Sequence, residues 1–151
     1  MKRSTFTAVV LCATLLVGAI PVIAHHAFAA EYDNSKPLTM KGKFVKMDWV
    51  NPHSWVHFEV TASNGTKQVW QGETPPPNQL IRQGWSRSEL KVGDEIQVAG
   101  FAAKDGSTKM WASNVNIIAR DGKVLEPMKP VLNMFSQNPE AVPAGLLPPR
   151  Q

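Results

Sequence analysis

Neutral imidazole is a preferred ligand for copper, zinc and nickel. All four histidines of this chain, His25, His26, His53 and His57, fall in one early stretch. His25 and His26 stand where an apolar N-terminal segment gives way to polar sequence. Cleavage just before them would create a first residue whose α-amine and ring nitrogen close a chelate on one ion. His26 or a later histidine would then supply a third nitrogen. His53 ends the turn sequence Asn51-Pro52-His53, in which Asn bonds its local backbone and Pro52 fixes its own φ. His53 and His57 lie four apart, roughly 13 Å between Cα atoms on a straight strand, too far to clasp one ion. The turn can fold His53 back toward the N-terminus, which makes it the stronger second ligand. His57 reads as a peripheral or structural histidine near Trp55. A lone strand histidine is most often a satisfied surface residue. The clustering beside a cleavage site is what raises the metal reading, with copper(II) favoured.

That reading depends on the segment before His25. Lys2 and Arg3 open the chain, and apolar or small residues run from Phe6 to Ile23. This is the architecture of a Sec-type signal peptide over residues 1–24. The run from Ala8 to Ile23 is short of the roughly 20 residues a membrane-spanning helix needs, and Pro21 interrupts its end. Val22-Ile23-Ala24, directly after Pro21, is the favoured cleavage site. The competing Ala27-Phe28-Ala29 would remove both histidines. The expected product begins at His25, is periplasmic or secreted, and has no membrane span. Cys12 lies inside the apolar run and does not look like a lipoprotein acceptor, so it leaves with the signal. The remaining chain has no cysteine, which excludes disulfides, thiolate metal sites, blue-copper chemistry and cysteine-protease chemistry. Losing Lys2 and Arg3 takes the formal charge from +4 to +2, too little for a nucleic-acid footprint.

Strands must position these residues. Residues 25–37 have no clean period and read as an N-terminal arm, with the barrel proper over 38–122. In Leu38–Trp49, Met40, Gly42 and Phe44 share one parity, whereas Val45, Met47 and Trp49 share the other. A phase shift after a strand glycine predicts a bulge. Ser54–Val60 alternates strictly, with Val56, Phe58 and Val60 inward and Trp55, His57 and Glu59 outward. Asn64-Gly65 is a hairpin signal leading to a third strand. A short helix is expected near Asn78–Gln83, capped by Asn78. Two more strands follow, one with Ile96 and Val98 inward and one ending near Ala119. Residues 123–151 are proline-rich and read as a poorly ordered tail. Five short strands with one helix between the third and fourth predict an all-β, OB-like Greek-key barrel.

The segments AHHAFAAEYD, GKFVKMDWVNPHSWVHFEV, IRQGWSRSELKVGDEIQVAGFAAKDGS and ASNV resemble domain-of-unknown-function family 6152, a family of exported bacterial proteins. The combination of His25-His26-x-Phe28 with Tyr32-Asp33 and the Asn-Pro-His turn is specific. The resemblance runs from about Ala24 to Arg120. It implies a small exported β-barrel and supplies no activity. This chain departs from the pattern in the triple proline at 75–77 and in its longer proline-rich tail.

Other chemistry is thin. Glu59 and Glu73 read as isolated carboxylates without an acid–base partner. Ser54 matches no nucleophile motif, and Val92-Gly93-Asp94-Glu95 is a turn without a phosphate-cradling glycine pattern. Met40, Met47 and Met110 read as core filler. Trp55, with Arg82, Trp85 and Arg87 of the loop after the helix, would make a ligand-binding face, although such loops more often cover a barrel end. An enzyme is therefore disfavoured. The leading expectation is a metal-binding barrel using His25, His26, His53 and His57. The alternative is a metal-free ligand- or protein-interaction module, and the third is a copper oxidoreductase built on a histidine brace.

Overall fold

The computed structural model describes residues 30–133, with side chains to 125. The signal segment, His25, His26 and the tail beyond 133 lie outside the described residues. The strands are β1 (Tyr32–Asp48), β2 (Ser54–Thr61), β3 (Lys67–Thr74), β4 (Glu95–Ala103), β5 (Lys109–Arg120) and β6 (Lys123–Asn133). One helix, α1 (Pro77–Arg82), lies between β3 and β4. Antiparallel pairing runs β3-β2-β1-β4-β5-β6, and a parallel β3–β5 contact closes the first five into a barrel. The expected OB-like, five-stranded barrel with its single intervening helix is what the chain forms.

The long first strand makes closure feasible because it serves two neighbours. Its first part pairs with β4, and Lys43–Asp48 pairs with β2. Between Phe44 and Lys46 the register to β2 shifts, at the predicted phase change, and Val45 turns out to solvent. Such a bulge bends the strand around the barrel. The turn before β4 takes over the backbone of Phe44: its N–H donates to the Asp94 carbonyl at 2.8 Å, and its carbonyl accepts from Gly93 N–H at 2.9 Å. Gly42 is needed here, since a Cβ would sit 2.5 Å from the Glu59 carbonyl oxygen.

Alternation then fills the interior. Phe44, Val56, Phe58, Ile96, Val98, Met110, Val115 and Ile117 form the core with Leu80 of α1 and with Trp85 and Leu90 of the loop after it. Leu80 is fully buried. Burial of each such side chain contributes roughly 1.5–3 kcal/mol, so a six-residue helix that is too short to stand alone is held by its single core contact.

Three boundaries differ from the sequence reading. β1 begins at Tyr32, not after a 25–37 arm, because Tyr32 pairs with Ala103 before residues 33–36 loop out and pairing resumes at Pro37. The helix starts from Pro76 with no side-chain cap, and Asn78 sits inside it; proline is pre-organised for a first helical turn. Residues 123–133 form a sixth strand on β5 rather than the beginning of a loose tail. Asp121 and Gly122 both take positive φ and turn the chain back tightly. An edge strand tolerates Pro127 and Pro130 because half its N–H groups have no ladder partner to lose.

Candidate functional site

The site is built on the outer face of β3, from a residue pair that faces opposite ways. A Cβ on Gly72 would meet Val56 and Ala112 of the core, so Gly72 faces in and Glu73 faces out. Glu73 stands opposite Trp55 in β2 and Trp111 in β5. An outward carboxylate would ordinarily be solvated, yet Glu73 is only 4% exposed. A buried charge must be paired and hydrogen-bonded, and here two donors meet it. The Tyr32 hydroxyl donates to Oε2, and His53 Nδ1 contacts Oε1. When Glu73 is ionised it only accepts, so the second contact places a proton on Nδ1, and a neutral His53 then carries its lone pair on Nε2, on a side chain that is 41% exposed.

One indole braces both donors. Trp111 meets the Tyr32 ring and the His53 ring edge-on, each at a centroid distance of 6.0 Å. Tyr32 is thus linked to His53 twice, through Glu73 and through Trp111. The Asn51-Pro52 peptide of the turn is cis. Ser54, the next residue, is fully buried, and its carbonyl accepts from Thr74 Oγ1 at 3.1 Å.

His57 lies elsewhere in the bonding pattern. Its Nε2 sits 2.8 Å from Asp48 Oδ2, with the side chain only 11% exposed. Lys46 Nζ donates to the same Asp48 carboxylate at 2.8 Å. The Lys46 ammonium, aided by His57 and against the effect of burial, holds the Asp48 carboxyl below its ordinary range. His57 tethers the end of β1 to β2. The two strand-proximal histidines thus engage different carboxylates. Among the described residues, no three His, Asp or Glu side chains form a group able to hold a metal.

The aromatic loop is architectural at its centre. Trp85 is buried in the core, packed at 5.9 Å against Trp49, and Arg87 lies 4.9 Å over the Trp49 ring. Trp85, one of the candidate ligand-binding residues, is thus a buried side chain. Together with Leu90 it anchors that loop on the core, and the loop covers the barrel. Arg82 and Arg87 stay exposed, and Trp55 is half-buried beside Glu73. A groove of about 450 Å³ opens elsewhere, lined by Lys41, Lys43, Lys67, Glu59 and Glu95. In it Lys67 pairs with Glu59 at 2.9 Å, and Lys43 stands opposite both glutamates. These alternating charges form a cross-strand ladder.

Over residues 12–124 the sequence matches the model of DUF6152, a family of unknown function. The chain belongs to DUF6152. No curated protein and no solved structure matches it. The matched span of this DUF6152 member includes every residue of the Tyr32–Glu73–His53 cluster. Sequence reasoning singled out His53 but missed Glu73, which looked isolated, and gave no role to Tyr32. The signal for Tyr32 was the Tyr-Asp pair in the same motif that holds His25 and His26. Nothing local in the sequence announced Glu73 as its partner.

Proposed function

We propose that this protein is exported and cleaved after Ala24, and that it binds a divalent transition metal, copper(II) first, through His53 Nε2 and the new N-terminal His25. The observation that carries the reading is the Glu73–His53 contact. Metal-ligating histidines almost always donate their other ring N–H to a carboxylate or carbonyl, which fixes the tautomer and raises ligand basicity. His53 has that arrangement on an exposed ring; the other tethered histidine, His57, is buried. Tyr32 rests on the same carboxylate, and in the sequence it lies six positions after His26. The α-amine and imidazole of His25 close a chelate ring, and nitrogen ligands of this kind suit copper(II), nickel(II) and zinc.

The test is titration of tag-free protein, recovered after export, with copper(II). One equivalent should bind, and affinity should fall below about pH 6, where amine and imidazole hold their protons. Replacing His53 by Ala should weaken binding at least about tenfold, on the scale of ligand and outer-shell losses. His57→Ala should change affinity much less. Intact mass should give His25 as the first residue. A mature chain starting at Ala30, or binding no tighter than that of an unrelated histidine-bearing control, would overturn the proposal.

A further inference from the structure

The carboxylate at the centre of this cluster has two oxygens and two donors, and the donors come from distant parts of the chain. Tyr32 starts β1, and His53 ends the β1–β2 turn. Tyr32 pairs with β4 apart from the rest of β1. It pairs with Ala103, after which the register to β4 breaks until Pro37. The intervening residues are folded onto themselves: Ser35 donates to Asp33 Oδ1 through its amide at 3.0 Å and its hydroxyl at 2.6 Å. Asn34, Ser35 and Lys36 are exposed. Tyr32 is nevertheless 3% exposed, with its ring against Trp111 and its hydroxyl on Glu73.

We infer that Tyr32 is a positioning residue, whose hydroxyl fixes Glu73 so that Glu73 holds His53 with its proton on Nδ1 and Nε2 bare. The geometry carries this in two steps. Glu73 reaches His53 through Oε1 and Tyr32 through Oε2, so a donor on Oε2 removes the carboxylate's freedom to rotate away from the imidazole. A buried oxygen left without a donor costs free energy, and the carboxylate would then turn toward water or toward a new partner. Losing the Tyr32 hydroxyl therefore loosens His53 without touching it. The same linkage runs backwards. A ligand taken up at Nε2 fixes the ring, strengthens the Nδ1–H contact and so stabilises the Tyr32 contact, because coupling between two binding equilibria is reciprocal. The second half of this inference rests on the metal reading; the first half concerns the metal-free protein.

The experiment has two arms that separate them. In the metal-free arm, protein carrying nitrogen-15 histidine is examined by NMR at about pH 8. Wild type should show His53 protonated at Nδ1, and Tyr32→Phe should give a mixture of tautomers. Glu73→Gln leaves one acceptor oxygen for two donors and should have at least as large an effect. His57, on Asp48, should be unchanged in both variants, which a general loss of fold would not allow. In the metal arm, Tyr32→Phe should bind copper(II) about tenfold more weakly. Copper should slow hydrogen exchange across residues 30–36 in wild type and not in the variant. Wild-type tautomer and affinity within twofold in both variants would overturn the inference. A tautomer shift in a protein that binds no copper would uphold the positioning role and overturn the metal reading. Copper binding with an unmoved tautomer would do the reverse.

Discussion

At the residue scale, the fold and the site share a boundary one residue wide. Gly72 faces the core and Glu73 the outer cluster, so any change that pushes β3 outward also moves the carboxylate that holds His53. A methyl group on Gly72 would lie 2.8 Å from Val56 Cγ1 and 2.9 Å from Ala112 Cβ, inside contact distance of two fully buried residues. Gly72→Ala should therefore destabilise the protein by about 1–3 kcal/mol, the range for overpacked cores, as read by urea unfolding. Unchanged stability would mean that β3 shifts freely, and that the strand does not fix Glu73. Inward parity was legible from alternation in β2, where Val56 and Phe58 are fully buried, and was not read for β3. The site was legible only in half. His53 stood out by type and turn context, whereas Glu73 became meaningful only through Tyr32, 41 positions away. Alternation tells which face a residue takes; it does not tell what covers that face.

At the element scale, β1, β2 and β3 were legible from local signals: the phase shift in β1, strict alternation in β2, and Asn-Gly before β3. The helix was placed to within a residue although its expected Asn78 cap is absent. Gly65, in that hairpin, adopts φ +83°, a conformation that favours glycine. β6 had no comparable signal, since prolines broke its pattern and composition argued for a tail. It forms because β5 is longer than its β3 contact: β3 pairs with Lys109–Trp111, and β6 pairs with Asn114–Arg120. Without β6, that part of β5 would present an open edge, the liability that sheets ordinarily cover. Leu125 also packs against the core. Truncation after Gly122 should therefore lower the melting temperature by several degrees, at about 2–8 °C per kcal/mol lost for domains near this size. It should also expose an edge prone to association. A truncated chain that melts with wild type and stays monomeric would show that β6 is dispensable to the barrel.

At the scale of the whole molecule, one partly buried ion pair ties the end of β5 to the turn before β4 and, through it, to the β1 bulge. Arg120, at the end of β5, donates through Nε to Asp94 Oδ1 at 2.9 Å and through Nη2 to Oδ2 at 2.6 Å. It also reaches the Glu89 carbonyl at 2.7 Å. Asp94 in turn accepts from the Lys91 amide at 2.8 Å, and its own carbonyl accepts from Phe44 at the β1 bulge. Burial works to raise the Asp94 carboxyl, but the Arg120 and Lys91 hydrogen bonds and the guanidinium charge outweigh it and hold the group below its ordinary value. A carboxyl lowered in the folded state favours folding at pH values above its unfolded pKa of about 3.9, and that contribution disappears as pH falls through the folded value. Asp33, Asp48 and Asp105 are lowered as well, each at the surface beside a serine or lysine, so they add in the same direction but weakly. Stability should thus be flat from neutral pH to about pH 5 as far as these aspartates are concerned, and should fall steeply below pH 4. Asp94→Asn removes the main buried contributor and leaves Arg120 without its counter-charge. That variant should be less stable than wild type at pH 7 and should lose less on acidification, so the two urea-midpoint curves converge toward pH 3. Parallel curves would show that the acid limb belongs to other carboxylates, and that the Asp94–Arg120 pair does not set the stability of the closed barrel.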